Sequence, residues 1–361
     1  MTKQPDTSSP HRLRSVLVTG GAGFIGSNFL LRMVPAHPDV RFINLDALTY
    51  AGNLMNLVDV EDAPNYRFVH GDIRDADLVR SLFREHDISS VVHFAADSHV
   101  DRSIMAPIQF VESNVLGTAT LLEAAREAWG DDTSRRFVHV STDEVFGSLG
   151  DEGLFEETTR YDPKSPYSAS KAASDHLARA YEHTFGLPVI ITNCSNNYGP
   201  FQFPEKLIPL VIANARDEKD IPVYGQGLNV RDWLYVGDHC EAVELALTRG
   251  GVGRTYLIGG NAEVRNIDLV KRIADLVDDE LGRPKGTSRS LIRFVTDRPG
   301  HDYRYAIDFS LTKKELGWEP RHELKSGLRE TVRWYLANES WLRRVMDDSY
   351  RDYYSKQYQQ H

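Results

Sequence analysis

Between residues 15 and 142, short runs of β-branched and apolar residues alternate with stretches of helical periodicity. The runs SVLVTG, RFINLD, YRFVHGD, SSVVHFAA and RRFVHVST are apolar at successive positions, the pattern of strands covered on both faces. Between them, DADLVRSLFREHD and NVLGTATLLEAAREAW space their apolar residues as one face of a helix requires. A sixth run, PVIITNCS, follows a helical stretch that begins near Tyr167. Strand and helix in regular alternation predict an α/β fold, a doubly wound parallel sheet with helices on both sides. After residue 198 the rhythm loosens, and Pro and Gly punctuate FPEKLIPLVIANAR, IPVYGQG, VRDWLYV, TYLIGG and NIDLVKRIADLVDDELG. These shorter pieces predict a smaller α/β region packed over the mouth of the sheet.

Composition narrows the class. A chain of 361 residues with 41% apolar content can supply a substantial core, and no stretch approaches the length of a membrane span. The first residues, MTKQPDTSSPHRLRS, lack the apolar segment of a signal peptide and read as a polar arm. Cys194 and Cys240 show no pairing pattern, so ordinary buried thiols in a reducing, cytoplasmic setting are expected. A formal charge of −10 argues against a nucleic-acid partner, and an anionic substrate would need a local basic cluster.

Candidate chemistry first gathers at the turn after the first strand. In VLVTGGAGFIGSNFL, Gly20, Gly23 and Gly26 punctuate a strand–turn–helix passage, and Gly21, Gly23 and Gly26 satisfy G-x-G-x-x-G. Glycine there permits a tight turn, close approach of backbone to a pyrophosphate and close helix–sheet packing. The helix N-terminus adds N–H donors for the phosphates. The second strand ends in Asp46, 20 residues after Gly26, where a carboxylate would accept hydrogen bonds from an adenosine ribose and repel a 2′-phosphate. This predicts a Rossmann-type sheet that binds NAD rather than NADP. Asp72 in HGDIRD, and Ala95 with Ala96 in HFAAD, end the third and fourth strands and would face the same crevice.

Residues 166–171 read PYSASK, with Pro166 suited to a first helical position. Tyr167 and Lys171 then lie one turn apart on one face, where the ammonium is expected to lower the phenol towards working pH so that it can take a proton from an alcohol. Just before, RRFVHV runs into STDEVFGS. In a regular strand Asp143 and Glu144 would point to opposite faces, so both can serve one ligand only if the strand ends by about Thr142 and turns, which Gly147 permits. Mutual repulsion and partial burial of such a pair push the two pKa values apart. Arg231 in NVRDWLYV, and Arg298 with His301 in DRPGH, are the candidate cations for phosphate. His70 and His93 read as core or strand residues, and no spacing suggests a metal site.

Together TGGAGFIG, HFAADSHVDRS, STDEVFG, PYSASK and CSNNYGPFQFPEKLIP resemble the extended short-chain dehydrogenase/reductase superfamily. With LTYAGN, VYGQGLNVRDWLYV and DRPGHDYRYAID the likeness narrows to the dTDP-glucose 4,6-dehydratase family, over roughly residues 15–335. The resemblance implies an NAD-dependent hydro-lyase that makes a 4-keto-6-deoxy sugar without net change in the cofactor. It implies NAD contacts at Gly20, Gly23, Phe24, Ile25 and Gly26, at Asp46, Ala47, Leu48 and Thr49, and at Asp72 and Ile73. Further contacts are implied at Phe94, Ala95, Ala96 and Ser98, and at Ser113, Tyr167, Lys171 and Asn197. For dTDP-glucose it implies Ser98, Asn196, Lys206 and Leu207, then Pro222, Val223, Tyr224, Arg231 and Asn266, and finally Asp297, Arg298, Pro299, Gly300 and His301. Tyr167 would deprotonate the 4-hydroxyl beside Thr142, with Lys171 as its cation; Glu144 would take the C5 proton and Asp143 would protonate the departing 6-hydroxyl.

Three positions depart from what family members often carry: Ala47 for Lys, Phe146 for Tyr and Ser113 for Thr. The resemblance and two long helices, about 105–129 and 166–184, also imply a homodimer. The expected division is a disordered arm over 1–14, an NAD-binding part over 15–198 with segments returning from about 226–262, and a mainly nucleotide-sugar-binding part over 199–361. The rival readings are a UDP-sugar 4,6-dehydratase, a nucleotide-sugar 4-epimerase, and a catalytically silent nucleotide-sugar-binding scaffold. The Asp143–Glu144 pair argues against the epimerase, and the intact proton-transfer set argues against the scaffold.

Overall fold

A computed structural model describes residues 11–346. Its frame is a seven-stranded parallel sheet. The strands expected from the sequence are β1 (Ser15–Thr19), β2 (Arg41–Asp46), β3 (Tyr66–His70), β4 (Ser90–His93), β5 (Arg136–Thr142) and β6 (Val189–Cys194). Later in the chain come β7 (Asn196–Tyr198), β8 (Ile221–Tyr224), β9 (Val230–Tyr235), β10 (Thr255–Ile258), β11 (Glu263–Arg265) and β12 (Ile292–Val295). The sheet order is β10-β6-β5-β4-β1-β2-β3, so the chain starts near the middle, runs to one edge, returns and runs to the other. β10 is the seventh strand: TYLI, within the stretch of about 226–262 expected to return to the NAD-binding part, pairs with β6.

The strand sequences form a buried sheet because successive side chains serve two cores. On β1, Val16 and Val18 pack beneath α1 (Phe24–Ala36), where Phe29, Leu30 and Met33 are fully buried. Leu17 points the other way, among Val79 and Leu82 of α2 (Ala76–His86) and Leu121 and Leu122 further on. Val100–Met105 forms α3, and the run towards residue 129 is not one helix. Ala106 leaves the helical region before Pro107, as a residue preceding proline tends to do. Pro107–Phe110 (α4) then leads through a π-helical turn, Val111–Leu116, into α5 (Gly117–Trp129).

The next helix, α6 (Pro166–Phe185), lies beside α5. A second core gathers around α7 (Leu207–Arg216), where Val211 and Ile212 meet Ile273 and Val277. α8 (Val236–Arg249) packs beside α1 on the sheet, and Ile273 and Val277 belong to α9 (Asn266–Leu281). Over this region lie a three-stranded sheet, β11-β9-β7, and the pair β12-β8. No described helix is long and apolar enough to cross a membrane.

The expectation of a disordered arm fails at its inner end. The backbone N–H of His11 donates to the Thr248 carbonyl, and its Nε2 lies 2.8 Å from Ser90 Oγ, which ties residue 11 to the last turn of α8 and the start of the central strand β4. Residues 1–10, and the tail after Trp341 beyond residue 346, lie outside the described residues.

Candidate functional site

The carboxyl ends of the strands open into one crevice of about 400 Å³. At its β1 end the glycine turn is packed to the limit. Gly20 has φ +71°, and a Cβ there would stand 2.7 Å from the Ala95 backbone; at Gly26 a Cβ would stand 2.3 Å from the Gly20 carbonyl. α1 starts at Gly23 with no side-chain cap and no acid in its first turn, so its leading N–H groups remain for an anion. A dinucleotide pyrophosphate fits this turn. Asp46 is buried, its Oδ2 accepting from Ala22 N (2.9 Å) and its Oδ1 from Leu48 N (2.8 Å). Burial raises its pKa against those bonds.

The crevice lining also takes in Gly20, Gly23, Phe24, Ile25 and Gly26, with Asp46, Ala47 and Thr49 beside them. Asp72, Ile73, Phe94, Ala95, Ala96, Ser98 and Ser113 follow along the strand ends. Leu48 stays outside the lining, with φ +49°. Asp72 is engaged by the guanidinium of Arg74, first through hydrogen bonds, which holds its carboxyl below the usual range.

The catalytic candidates converge from two elements. β5 ends at Thr142, and Asp143–Phe146 turns as one 3₁₀ helix that closes at Gly147 (φ +84°), so Asp143 and Glu144 both reach the crevice. Thr142 Oγ1 accepts from Glu144 N (3.3 Å) and faces Asp143 Oδ1 at 3.4 Å. Asp143 Oδ2 is buried without a partner. Burial, then Glu144 and Asp232, hold Asp143 well above the ordinary carboxylate range. Burial also raises Glu144, but Arg298, Lys206 and Arg231 pull it back. Two adjacent acids thus sit in different fields, the neutral form favoured more strongly at Asp143.

Tyr167 enters at the start of α6. Ser165 and Ser168 cap the helix reciprocally at 3.0 Å, and Phe110 packs edge-on against the phenol ring. The expected lowering of the phenol is not found. Burial, then Glu144 and Cys194, raise Tyr167 well above its usual value, with only Thr142 pulling the other way. The Lys171 ammonium is occupied by the Val140 carbonyl at 2.9 Å.

Cys194 also lines the crevice, and burial followed by Asp143 pushes its thiol up to about 12, so it is no nucleophile. Asn196, Asn197 and Lys206 complete this wall, with Lys206 Nζ donating to the Ser98 carbonyl at 2.7 Å. The remaining candidates, Leu207, Pro222, Val223, Tyr224, Arg231, Asn266 and Asp297, Arg298, Pro299, Gly300 and His301, stand outside that lining.

Two of them, Tyr224 and Arg298, meet at Asp101, which sequence reasoning passed over. Asp101 accepts from Tyr224 Oη (2.9 Å) and from Arg298 Nη1 (3.4 Å). His301 Nδ1 lies 2.6 Å from Asp297 Oδ1. Arg231 is buried over the Tyr305 ring, its terminal nitrogens donating to the carbonyls of Val230, Tyr303 and Asp302, so its charge rather than a free fork faces the carboxylate pair. Asn266 Oδ1 is buried without a partner.

Two further residues escaped the sequence reading. Asn114, on the π-helical turn, ties the Asp97 backbone and Ser170 Oγ together at 2.9 Å. Glu205 is buried against Arg102 (2.8 Å) and Tyr50 Oη (2.8 Å).

Comparison with known proteins agrees with this geometry. The GDP-mannose 4,6 dehydratase family model matches residues 17–331. A dTDP-glucose 4,6-dehydratase of Xanthomonas campestris pv. campestris is 58% identical over 341 residues, covering 93% of this chain and 97% of that one. One from Shigella flexneri is 51% identical over 358 residues, covering 95% and 99%. Among solved structures, DesIV, a dTDP-glucose 4,6-dehydratase from Streptomyces venezuelae with NAD and TYD bound, superposes with a TM-score of 0.85 at 48% identity, covering 92% and 99%. A UDP-glucose 4-epimerase from Thermotoga maritima with UDP-glucose reaches 0.80 at 26% identity, covering 90% and 99%.

Proposed function

The chain belongs to the dTDP-glucose 4,6-dehydratase family, and on that premise we propose that its crevice converts dTDP-D-glucose to dTDP-4-keto-6-deoxy-D-glucose with loss of one water. NAD, bound over the glycine turn, would supply the two-electron acceptor that takes hydride from C4 and returns it at C6. Gly20, Gly23 and the free N–H groups opening α1 hold the pyrophosphate, and Asp46 holds the ribose.

The chain's own groups move the protons. Tyr167, beside Thr142 and with Lys171 as its cation, takes the proton of the 4-hydroxyl as that carbon becomes a ketone. The ketone acidifies the C5 proton, which Glu144 removes. Asp143, held neutral by burial and its neighbour, gives a proton to the 6-hydroxyl, so that the C6–O bond breaks and water leaves. A proton returned to C5 completes the product. Lys206, Arg298 and Arg231, whose charges face Glu144, answer the need of an anionic substrate in a chain of charge −10.

The observation that carries this reading is the turn after β5. It delivers two carboxylates of unequal acidity to one crevice, a provision that a 4-epimerase or a silent binder does not need. Incubation with dTDP-glucose in deuterated water, followed by mass spectrometry, is expected to show loss of one water and one deuterium at C5. An unchanged mass with dTDP-galactose formed would make it an epimerase. Turnover of UDP-glucose in preference would move the base specificity.

The same reading extends to assembly. Ile104, Met105, Ile108, Val111 and Leu116 are all at least 41% exposed along α3 and the stretch leading into α5, with Ile108 at 69%. A second copy related by a two-fold axis would cover this apolar strip, giving a homodimer. Light scattering at micromolar concentration is expected to give twice the chain mass, and I108E to give one. Two free, buried thiols suit a reducing, cytoplasmic setting.

A further inference from the structure

Beyond the crevice wall, on the face of α6 that carries Lys171 and packs on β5 and β6, lies a buried carboxylate that the proposed reaction does not use. Asp175 is wholly inaccessible, one turn beyond Lys171 on the same helix. Four donors converge on its two oxygens: His139 Nε2 at 3.0 Å, Ser141 Oγ at 2.9 Å, Tyr161 Oη at 2.7 Å and Asn193 Nδ2 at 3.2 Å. His139 and Ser141 come from β5, two residues apart on one face; Asn193 comes from β6 and Tyr161 from the segment before α6. Every contact is a donor to the carboxylate, the arrangement that stabilises its ionised form.

The polar chain continues outward. Arg179 of α6 donates to Tyr161 Oη at 2.8 Å, at the floor of a second, open cavity of about 540 Å³ on the outer side of the helix. Inward, Asn193 Nδ2 also donates to the Thr142 carbonyl (3.0 Å), so one amide joins Asp175 to the residue that opens the catalytic turn.

A bare buried negative charge is expensive, and a fold that needed only hydrogen bonds could use neutral partners. One turn back along the same face of α6 stands the Lys171 ammonium, likewise buried. Lys171 as a residue is 4% exposed, and its ammonium donates to a neutral carbonyl, Val140 O. We propose that Asp175 is a positioning residue for the reaction, its carboxylate holding the Lys171 side chain charged and in place in the crevice.

This rests on the proposed role of Lys171 as the cation beside Tyr167. Burial lowers the Lys171 pKa, and Asp175 is the first group opposing it, followed by Cys194. Burial works against ionised Asp175 too, but the hydrogen bond from His139, the Lys171 charge and the hydrogen bond from Tyr161 outweigh it and hold the carboxyl below its usual range. The other groups facing this pair do not supply the missing charge. His139 from β5 and His93 from β4 are wholly buried and are both lowered, foremost by that burial, so they are neutral in the working range. Cys194 from β6 is held protonated, and Arg179 reaches Asp175 only through the Tyr161 hydroxyl.

The test is the pH dependence of turnover of dTDP-glucose by Asp175→Asn, read beside a direct titration of the lysine. Removing the negative charge makes the ammonium release its proton at lower pH. The alkaline limb of log kcat is expected to move down by about one pH unit, with kcat above that limb about tenfold lower and KM within about twofold of the parent. Asp175→Glu keeps the charge and is expected to restore most of the shift. Tyr161→Phe removes one donor but leaves the carboxylate ionised, and is expected to lower Tm without moving the limb.

In protein carrying isotope-labelled Cε lysine, the Lys171 signal, assigned by its loss in Lys171→Met, is expected to titrate about one pH unit lower in Asp175→Asn. An unmoved limb and an unmoved lysine midpoint, with only Tm or KM changed, would overturn the proposal. If Asp175→Asn does not fold, Asp175→Ser replaces it, its hydroxyl still accepting from two donors. Failure of both to fold makes the carboxylate a requirement of the fold and also overturns the proposal. A parent protein that leaves dTDP-glucose untouched refutes the proposed function instead, and the lysine titration then decides the pairing by itself.

Discussion

Asp143 and Glu144 are neighbours in sequence and unlike in surroundings. Asp143 lies against Glu144 and Asp232, whereas Glu144 lies among the charges of Arg298, Lys206 and Arg231. Their proposed roles therefore separate on substitution. Asp143→Asn is expected to lower net dehydration about 100-fold while still allowing oxidation at C4, so that the reduced-cofactor absorbance builds up on mixing with substrate. Glu144→Gln is expected to abolish deuterium entry at C5, which mass spectrometry reads directly. Because burial raises Glu144, the acid limb of kcat is expected above the usual glutamate range, since the base must lose its proton to act.

The residue types at these positions were legible in the sequence, and so was the glycine turn. The direction of the Tyr167 shift was not, because it follows from burial and from Glu144 and Cys194, which come from other elements. The i, i+4 spacing to Lys171 says nothing of what encloses the phenol.

At the scale of elements, the turn Asp143–Phe146 decides where two side chains point. It closes on Gly147, where φ is +84° and a Cβ would stand 2.5 Å from the Asp162 carbonyl. Gly147→Ala is thus expected to lower kcat at least about tenfold through misplacement of the carboxylates, with a stability loss of about 1–2 kcal/mol for the left-handed backbone. Turnover measured at saturating substrate, alongside thermal unfolding, separates the two effects. This turn could be anticipated, since two adjacent acids serve one crevice only if the strand stops.

The π-helical turn could not. Val111–Leu116 has no pattern of its own, and its form follows from Pro107 starting the helix and from Asn114 being held to Asp97 and Ser170. Strand β10 lies in the stretch expected to return to the sheet, but its partner was not legible: TYLI suits any buried strand, and the edge of β6 selects the pairing.

Across the whole molecule, the buried imidazoles set a pH dependence of stability. Burial lowers His239 to about 3, and burial with Arg136, Arg14 and Arg135 lowers His11 to about 4. Burial is also foremost in lowering His93 and His99 well below the ordinary value. A histidine whose folded pKa lies below its unfolded value binds fewer protons when folded, so stability is lost as pH falls from about 6.5 towards these lower values. Asp46, Asp143, Glu144, Glu157 and Asp232, all raised, act in the opposite sense while they take up protons, but they are fewer than the lowered histidines, which also include His86, His139 and His301. Tm is expected to fall between pH 6.5 and 4, the span from the ordinary histidine value to that of His11. His239→Gln is expected to show a shallower fall in the same scan.

The course of β10 has a consequence for how the molecule can be taken apart. The chain leaves the sheet after β6, builds part of the upper region through α7, β8 and β9, descends along α8 to lay β10 on the edge of β6, and climbs again into α9. Nothing can be snipped at a single peptide bond to yield a free-standing cofactor half. A fragment ending near residue 198 would bare the flank of β6 and the apolar surface that α8 covers. Such an edge invites pairing with other chains. The two regions are interlaced, and this limits motion as well as dissection. A wide jaw-like opening would have to drag α8 and β10 with it, so substrate entry is left to loops at the rim rather than to a swing of one region against the other.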